Sequence, residues 1–321
     1  MPAISASAPG KIILFGEHAV VYGRPAIAAP VRQIMAKAVI IANPKGSPGS
    51  VHIQAPAIGL DAELGDLPAN HSLRLTIRNT LDSTGLSHLP ACRLRITSTI
   101  PVASGLGSGA AVAVAVIKAV SSFTGRHVSD EEISQIAYET EKIHHGTPSG
   151  IDNSVVTFNR PIYYIKGNPI KLLRVRAPFS ILIGNTGITS PTAATVGDLR
   201  RAWQADPERW EPYFDEIGSI ANSAVELIER GRPERLGILM TRNHELLQDL
   251  SVSCNELDRL VSAALRAGAL GAKLSGGGRG GNMIALVQPD QAPSIASGLM
   301  QAGATQTILT HIDGVADLQL Q

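Results

Sequence analysis

Residues 104–124 read SGLGSGAAVAVAVIKAVSSFT, with glycines at 105, 107 and 109 followed at once by a continuous apolar run. The length of that run, and Gly125 at its end, predict a buried helix. Nothing separates the glycines from the helix start. A helix entered through so pliable a loop presents unpaired N–H groups and the positive end of its dipole, the physical requirements of an oligophosphate site. Ser108 stands at the start, where it caps the helix or reaches a phosphate-bound Mg²⁺. No Gly-Lys-Ser/Thr follows the glycines, so this is not a Walker loop. A tight turn with a serine cap is the plain alternative.

A chain of 321 residues exceeds the usual size of one core and predicts two domains. The change in character near residues 170–180 divides it into 1–175 and 176–321. Aromatics make up only 4% while small aliphatic residues abound, which points to a mixed α/β or α+β interior. Net charge is +1 with no long basic run, which excludes electrostatic binding to nucleic acid or a membrane surface. The clusters at Arg200-Arg201 and Arg230 to Arg235 read as solvated helix faces. Cys92 and Cys254 lie far apart with no CxxC, as expected in a reducing cytoplasm. Neither a basic-then-apolar leader nor an apolar run of the ~18 residues a span needs is present, so a soluble cytoplasmic protein is expected.

Strands are predicted at Lys11–Leu14, Ala36–Ala42, Arg93–Ile100, Ile162–Ile165 and Phe179–Gly184. Helices are predicted near Ser72–Leu81 and from Ser129, where Glu132 completes a capping box and Gly146 and Pro148 end the helix. From Asp206 the pattern is helical through Ala221–Glu229, Pro233–Asp249 and Cys254–Ala267. A helix at about Pro289–Ala302 and a strand near Thr305–His311 close the chain.

Two further glycine-rich segments stand out. In APGKIILFGEHAVVYG, residues 8–23, Lys11, Glu17 and His18 are embedded among apolar neighbours, where an unpaired charge is costly. Either Lys11 and Glu17 pair with each other, or they line a polar site at the strand's end. In GAKLSGGGRGGNMIALV, residues 271–287, a literal GxGxxG occurs at Gly276, Gly278 and Gly281. A β-like run follows it and helical sequence precedes it, so the dinucleotide-fold context fails. A run this dense still implies close backbone approach to a ligand or a neighbouring loop.

The stretch HHGTPSGIDN, residues 144–153, holds two adjacent histidines about 100° apart on a helix, which cannot both chelate one metal. Glu141 faces the unfavourable end of a helix dipole, so a cation must compensate: His145 one turn on, or bound Mg²⁺. Past a turn set by Pro148 and Gly150, Asp152 lies in a loop that folds its carboxylate back toward the helix end. A lone aspartate with a lysine opposite is what a kinase needs to position and deprotonate an alcohol. Ser149 has neither the GxSxG surroundings nor the base of a nucleophile.

Taken together, PGKIILFGEHAVVYG, PVASGLGSGAAVA, GAKLSGGGRGGNM and HHGTPSGIDN resemble the motifs of the GHMP small-molecule kinases, in order along the whole chain, and the last resembles the branch acting on mevalonate. The resemblance implies an α+β two-domain GHMP kinase fold. Its N-terminal domain would be like domain 2 of ribosomal protein S5, its C-terminal domain ferredoxin-like, with the active site in the cleft between them. It implies ATP-dependent phosphorylation of the C5 hydroxyl of mevalonate, with Mg²⁺, in a homodimer. Position by position, Asp152 becomes the base and Lys11 its catalytic partner at the acceptor hydroxyl. Ser108 and Glu141 become Mg²⁺ ligands, and Glu17 and His18 line the acceptor pocket. The nucleotide loop would comprise Pro101, Val102, Ala103, Ser104, Gly105, Leu106, Gly107, Ser108, Gly109, Ala110 and Ala111. Thr186, with Thr189 and Thr192, offers either pocket hydroxyls or turn caps.

Two departures from the family pattern are visible. Gly109 stands where a second serine is common. In the third motif Arg279 interrupts the glycines and Asn282 takes the place often held by Cys; Arg279 either adds a phosphate contact or points to solvent. Other GHMP enzymes, such as phosphomevalonate kinase and diphosphomevalonate decarboxylase, are the alternatives. Their phosphorylated substrates call for added cations in the acceptor pocket, where this chain has Glu17 and His18. A non-catalytic nucleotide sensor is the alternative of another class.

Overall fold

The computed structural model describes residues 3–101, 104–145, 149–189 and 192–314. Val102, Ala103, Gly146, Thr147 and Pro148 lie outside them, as do the side chains of His144 and His145. The chain forms two compact units. One comprises Met1–Gly10, Ile34–Val102 and Gly107–Asn159; the other comprises Lys11–Gln33, Ala103–Leu106 and Arg160–Gln321. Two long strands, β1 (Ile4–Phe15) and β2 (Ala26–Ala42), contribute residues to both.

In the first unit β3 (Val51–Ala55), β4 (Leu60–Glu63), α1 (Ser72–Thr84) and β5 (Cys92–Ser98) follow in turn. The strand order is β4-β3-β5-β2, with β3 parallel to β5 and Ala36 to Ala42 antiparallel to Ser98 to Cys92. Cys92, Leu94 and Ile96 of β5 are buried while Arg93, Arg95 and Thr97 are exposed, the two-residue period of a half-covered sheet. Next come α2 (Ser108–Thr124), α3 (Asp130–His145) and α4 (Ile151–Phe158). Every residue of α2 from Ala113 to Ile117 is buried, because α1, α3 and α4 all pack on it. Its alanines and valines are small enough to admit three neighbours. Gly125 ends it in the left-handed conformation at φ +66°. The capping box at α3 forms as expected: Ser129 N–H donates to Glu132 Oε2 (2.9 Å), and Glu132 N–H to Ser129 Oγ (3.3 Å).

In the second unit Ala26 to Ala28 of β2 pair with β6 (Ile162–Tyr164), which pairs with β7 (Lys171–Leu172). Then come β8 (Phe179–Asn185), α5 (Thr192–Ala205), α6 (Pro207–Glu229), α7 (Leu236–Asp249), α8 (Asn255–Arg266), β9 (Gly271–Ser275), β10 (Asn282–Val287), α9 (Ala292–Gln301) and β11 (Gln306–Ile312). The sheet order is β11-β8-β10-β9, antiparallel throughout. Counted in chain order that is fourth, first, third, second, with helices after the first and third strands: the ferredoxin-like arrangement. The helices α7, α8 and α9 pack on this sheet. Strands β9 and β10 are buried along their whole length, so the polar side chains they carry, Lys273, Ser275 and Asn282, are buried with them.

Three local expectations change. Residues 151–158 are a helix, not a loop; its eight residues carry too little periodicity to announce it. The Thr-rich segment after β8 opens α5, whose only buried residues are Thr195 and Leu199. The segment before the third glycine run is strand β9 where helical sequence was expected, and a strand rather than a helix follows it, so the dinucleotide reading still fails.

Candidate active site

The loop entering α2 is held by its carbonyls. Lys11, buried in β1, donates its backbone N–H to Leu106 O at 2.9 Å, and Asn282 Nδ2 donates to Ser104 O. The C=O and N–H of a trans peptide point in opposite directions, so the N–H groups of Gly105 and Gly107 turn to the side away from those donors. Gly105 (φ +77°) and Gly107 (φ +76°) adopt the left-handed backbone this path needs. Gly107 is the N-cap residue and supplies no side-chain cap, while Ser108 is the first residue of α2 rather than its cap. The helix start thus keeps its N–H groups for another acceptor. Ala110 and Ala111, also expected in the nucleotide loop, are buried in the first turns of α2.

Glu141 meets the same helix start within the first unit. It is buried in α3, and a Cβ placed on Gly109 would lie 2.9 Å from Glu141 Oε1. Gly109 is therefore the gap into which the glutamate carboxylate fits, one residue beyond Ser108. Asp152 lies in the first turn of α4, a place where the helix dipole favours a carboxylate. Gly150, at φ +90°, makes the sharp entry. The next residue, Asn153, donates from Nδ2 to Ser134 O (3.0 Å) and Ser134 Oγ (2.9 Å), tying α4 to α3. Asp152 thus stands on a fixed helix start and not on a loop.

In the second unit the turn after β1 is forced into unusual backbone. Gly16 (φ +92°) would place a Cβ 2.4 Å from Pro25 O, and His18 itself has φ +62°. Glu17 and His18 are buried by this turn. The hydrogen-bonded partner of Glu17 is Lys273, a residue the sequence had not singled out, rather than Lys11. Lys273 is fully buried in β9, donating from Nζ to Glu17 Oε1 and to Leu274 O (2.7 Å). Burial pushes the Glu17 carboxyl up and the Lys273 ammonium down; each opposes the other's shift, and Lys11 adds a weaker attraction to Glu17. Glu17 Oε2 and His18 Nδ1 are buried with no hydrogen-bond partner among the described residues. His18 Nε2 lies 3.2 Å from Gly277 O, which fixes Nε2 as the donor and leaves Nδ1 an acceptor. Burial lowers the His18 imidazole to about 4. A charge embedded in an apolar strand, the signal that drew notice to Lys11, also marks Lys273 in GAKLS.

The third glycine run is packed by neighbouring loops. Added Cβ atoms would strike Thr192 Oγ1 at Gly277 (2.4 Å), Val252 O at Gly278 (1.9 Å) and Ile188 O at Gly280 (2.9 Å). Arg279 takes a course not foreseen: its guanidinium pairs with Asp198 of α5 and lies 3.4 Å from Ser251 O. Thr186 Oγ donates to Gly281 O (3.0 Å) and accepts from Ile188 N–H (3.2 Å), a turn-forming pattern. Thr189 is exposed, and Thr192 opens α5.

Family models for the GHMP kinase N-terminal domain and the GHMP kinase C-terminal domain match residues 71–160 and 224–305. A mevalonate kinase of Pyrococcus furiosus is 38% identical, with 95% of each chain covered. The chain belongs to the GHMP kinase family, in its mevalonate kinase branch. Among solved structures, L. major mevalonate kinase in complex with R-mevalonate is 32% identical, with a TM-score of 0.83 over 97% of this chain and 96% of that one. Methanococcus jannaschii mevalonate kinase is 27% identical with the same TM-score, over 98% and 99%. The two-unit α+β architecture is accordingly that of a GHMP kinase, with both of the family's domains present. Among the described residues no helix is long and apolar enough to cross a membrane.

Proposed function

We propose that this chain transfers the γ-phosphoryl group of ATP to the C5 hydroxyl of mevalonate, releasing 5-phosphomevalonate and ADP. The observation that carries it is the entrance to α2. A long buried helix without a side-chain cap follows a loop whose carbonyls at 104 and 106 are occupied by protein donors. Amides rather than carbonyls are left to meet a triphosphate. The L. major relative is described in complex with R-mevalonate, which supports the choice of acceptor.

Each residue then has a role. Backbone N–H groups from Gly105 to Ser108 hold the phosphates, within the loop assigned from Pro101 to Ala111. Ser108 and Glu141 are the ligands for Mg²⁺. The fit rests on Glu141 Oε1 lying against the first turn of α2 at Gly109, which supplies hard oxygen donors there. Among the described residues no three His, Cys, Asp or Glu side chains form a metal set, and Mg²⁺ bound mainly through phosphates requires only one or two carboxylates. Bound there, the ion would neutralise charge on the phosphate oxygens. Asp152 accepts the proton of the C5 hydroxyl and orients its oxygen toward phosphorus. Lys11 offsets the charge developing on that oxygen. Glu17 and His18 line the acceptor pocket as uncharged-alcohol readers, and Thr186 offers the lone pair that remains on its hydroxyl. The functional division is placed at 1–175 and 176–321, as expected from the sequence, although Lys11–Gln33 and the chain from Arg160 onward belong to the second unit. A cytoplasmic homodimer accompanies this reading, and sedimentation would measure the assembly.

A coupled ADP-release assay with mevalonate, its mono- and diphosphorylated forms, galactose and homoserine tests the substrate. Turnover is expected with mevalonate alone; preference for a phosphorylated form would overturn the reading. Asp152→Asn should lose roughly 10²–10⁴-fold in kcat while still binding Mg-ATP. Near-normal turnover in that variant would remove Asp152 from its role.

A further inference from the structure

We propose that Asn282 is a positioning residue for the nucleotide, orienting the Ser104–Gly105 peptide through a directed chain of side-chain amides. The proposal rests on the loop's reading as a phosphate site and adds the residue that sets it. Three links run one way. Gly187 N–H donates to Asn185 Oδ1 at 2.6 Å, Asn185 Nδ2 donates to Asn282 Oδ1 at 2.8 Å, and Asn282 Nδ2 donates to Ser104 O at 2.5 Å. A backbone N–H can only donate, so the first link fixes which end of the Asn185 amide accepts, and that in turn fixes Asn282. The loop carbonyl is the terminus of a relay whose polarity cannot reverse.

The platform is rigid. Asn282 is 2% exposed and opens β10, where it pairs with Asn185 of β8 on one side and Ser275 of β9 on the other. Thr305 N–H adds a bond to Asn185 O at 2.8 Å. The strand of Asn282 lies in the middle of the sheet, between β8 and β9. Capturing Ser104 O on one side of the peptide turns Gly105 N–H to the other, as Lys11 does for Leu106 O and Gly107 N–H. A cysteine, the residue common here in the family, is shorter and offers one weak donor. Its sulfur is also only a weak acceptor, so the links to Asn185 and to Ser104 would both be weakened. In this chain the third glycine motif therefore ends in an adjuster of the second.

The test uses the full chain and two variants, Asn282→Cys and Asn282→Ala, with calorimetric titration of ADP and of adenosine. Wild type should bind ADP at least tenfold tighter than adenosine. Each variant should weaken ADP about tenfold, the loss that follows one misdirected hydrogen bond. Adenosine affinity and the KM for mevalonate should stay within twofold. A purely structural asparagine would lower the thermal midpoint but leave the ADP-to-adenosine ratio at the wild-type value, and that result would overturn the proposal. Equal weakening of ADP and adenosine would overturn it too. If wild type itself bound ADP no better than adenosine, the loop would not be a phosphate site, and both readings would fall.

Discussion

Removing Lys273 should unmask the cost of burying Glu17, with a pH dependence that identifies the cause. Both side chains are almost wholly buried, at 0% and 1% exposure. In wild type the pair holds one proton between its two groups, whether as an ion pair or as a neutral pair. The unfolded chain near pH 7 holds the same one proton, on lysine, so the pair adds no pH slope there. In Lys273→Met the folded chain can keep Glu17 in its apolar site only by protonating it. From the ordinary value of 4.5 up to pH 7, that costs about 3 kcal/mol. The folded carboxyl is now raised above its unfolded value, so the variant's stability is lost as pH rises above about 4.5. Urea unfolding at pH 5, 6, 7 and 8 should show the deficit of Lys273→Met growing by about 1.4 kcal/mol per pH unit. The double variant Glu17→Gln/Lys273→Met should lose that slope and recover part of the deficit, since a buried ion pair adds little once both charges are gone. A deficit independent of pH, or a double variant no better than the single, would refute the pairing.

Other expectations are more local. Gly278→Ala should destabilise by more than about 3 kcal/mol or prevent folding, because its Cβ would stand 1.9 Å from Val252 O at φ +73°. Gly276→Ala, with φ +96° and nothing within 4 Å, should cost only about 1–2 kcal/mol of backbone strain; equal urea midpoints for the two would be evidence against the packing of that run. Burial holds both His18 and His244 down to about 4. Between about pH 6.5 and 4 the unfolded chain therefore binds protons that the folded chain refuses, so stability falls as pH falls through that window. Each histidine contributes about 2 kcal/mol of the loss at pH 5. His18→Asn should shrink the difference between pH 7 and pH 5 by that amount; an unchanged difference would mean that His18 is not held neutral.

Much of the site was legible because its chemistry conflicts with its surroundings. Lys11, Glu17 and His18 stand out as polar groups in apolar sequence, and Asp152 as a carboxylate after a turn. The α2 helix followed from length and apolarity alone, and the α3 cap from two residues three apart. Less visible were α4, too short to show a period, and α5, which buries so little that its pattern is faint. Lys273 carried the same signal as Lys11 but lay beside a glycine run that drew the explanation to itself.

The sequence alone determined where the glycines must be, where the buried helix starts and which charges could not be left in an apolar interior, since these follow from backbone sterics and solvation at single positions. Only tertiary structure decided the partners. Glu17 took Lys273, Arg279 took Asp198, Gly109 made room for Glu141, and Asn282 reached Ser104 across 178 positions. A hydrogen bond reports separation in space, and separation along the chain carries almost none of that information.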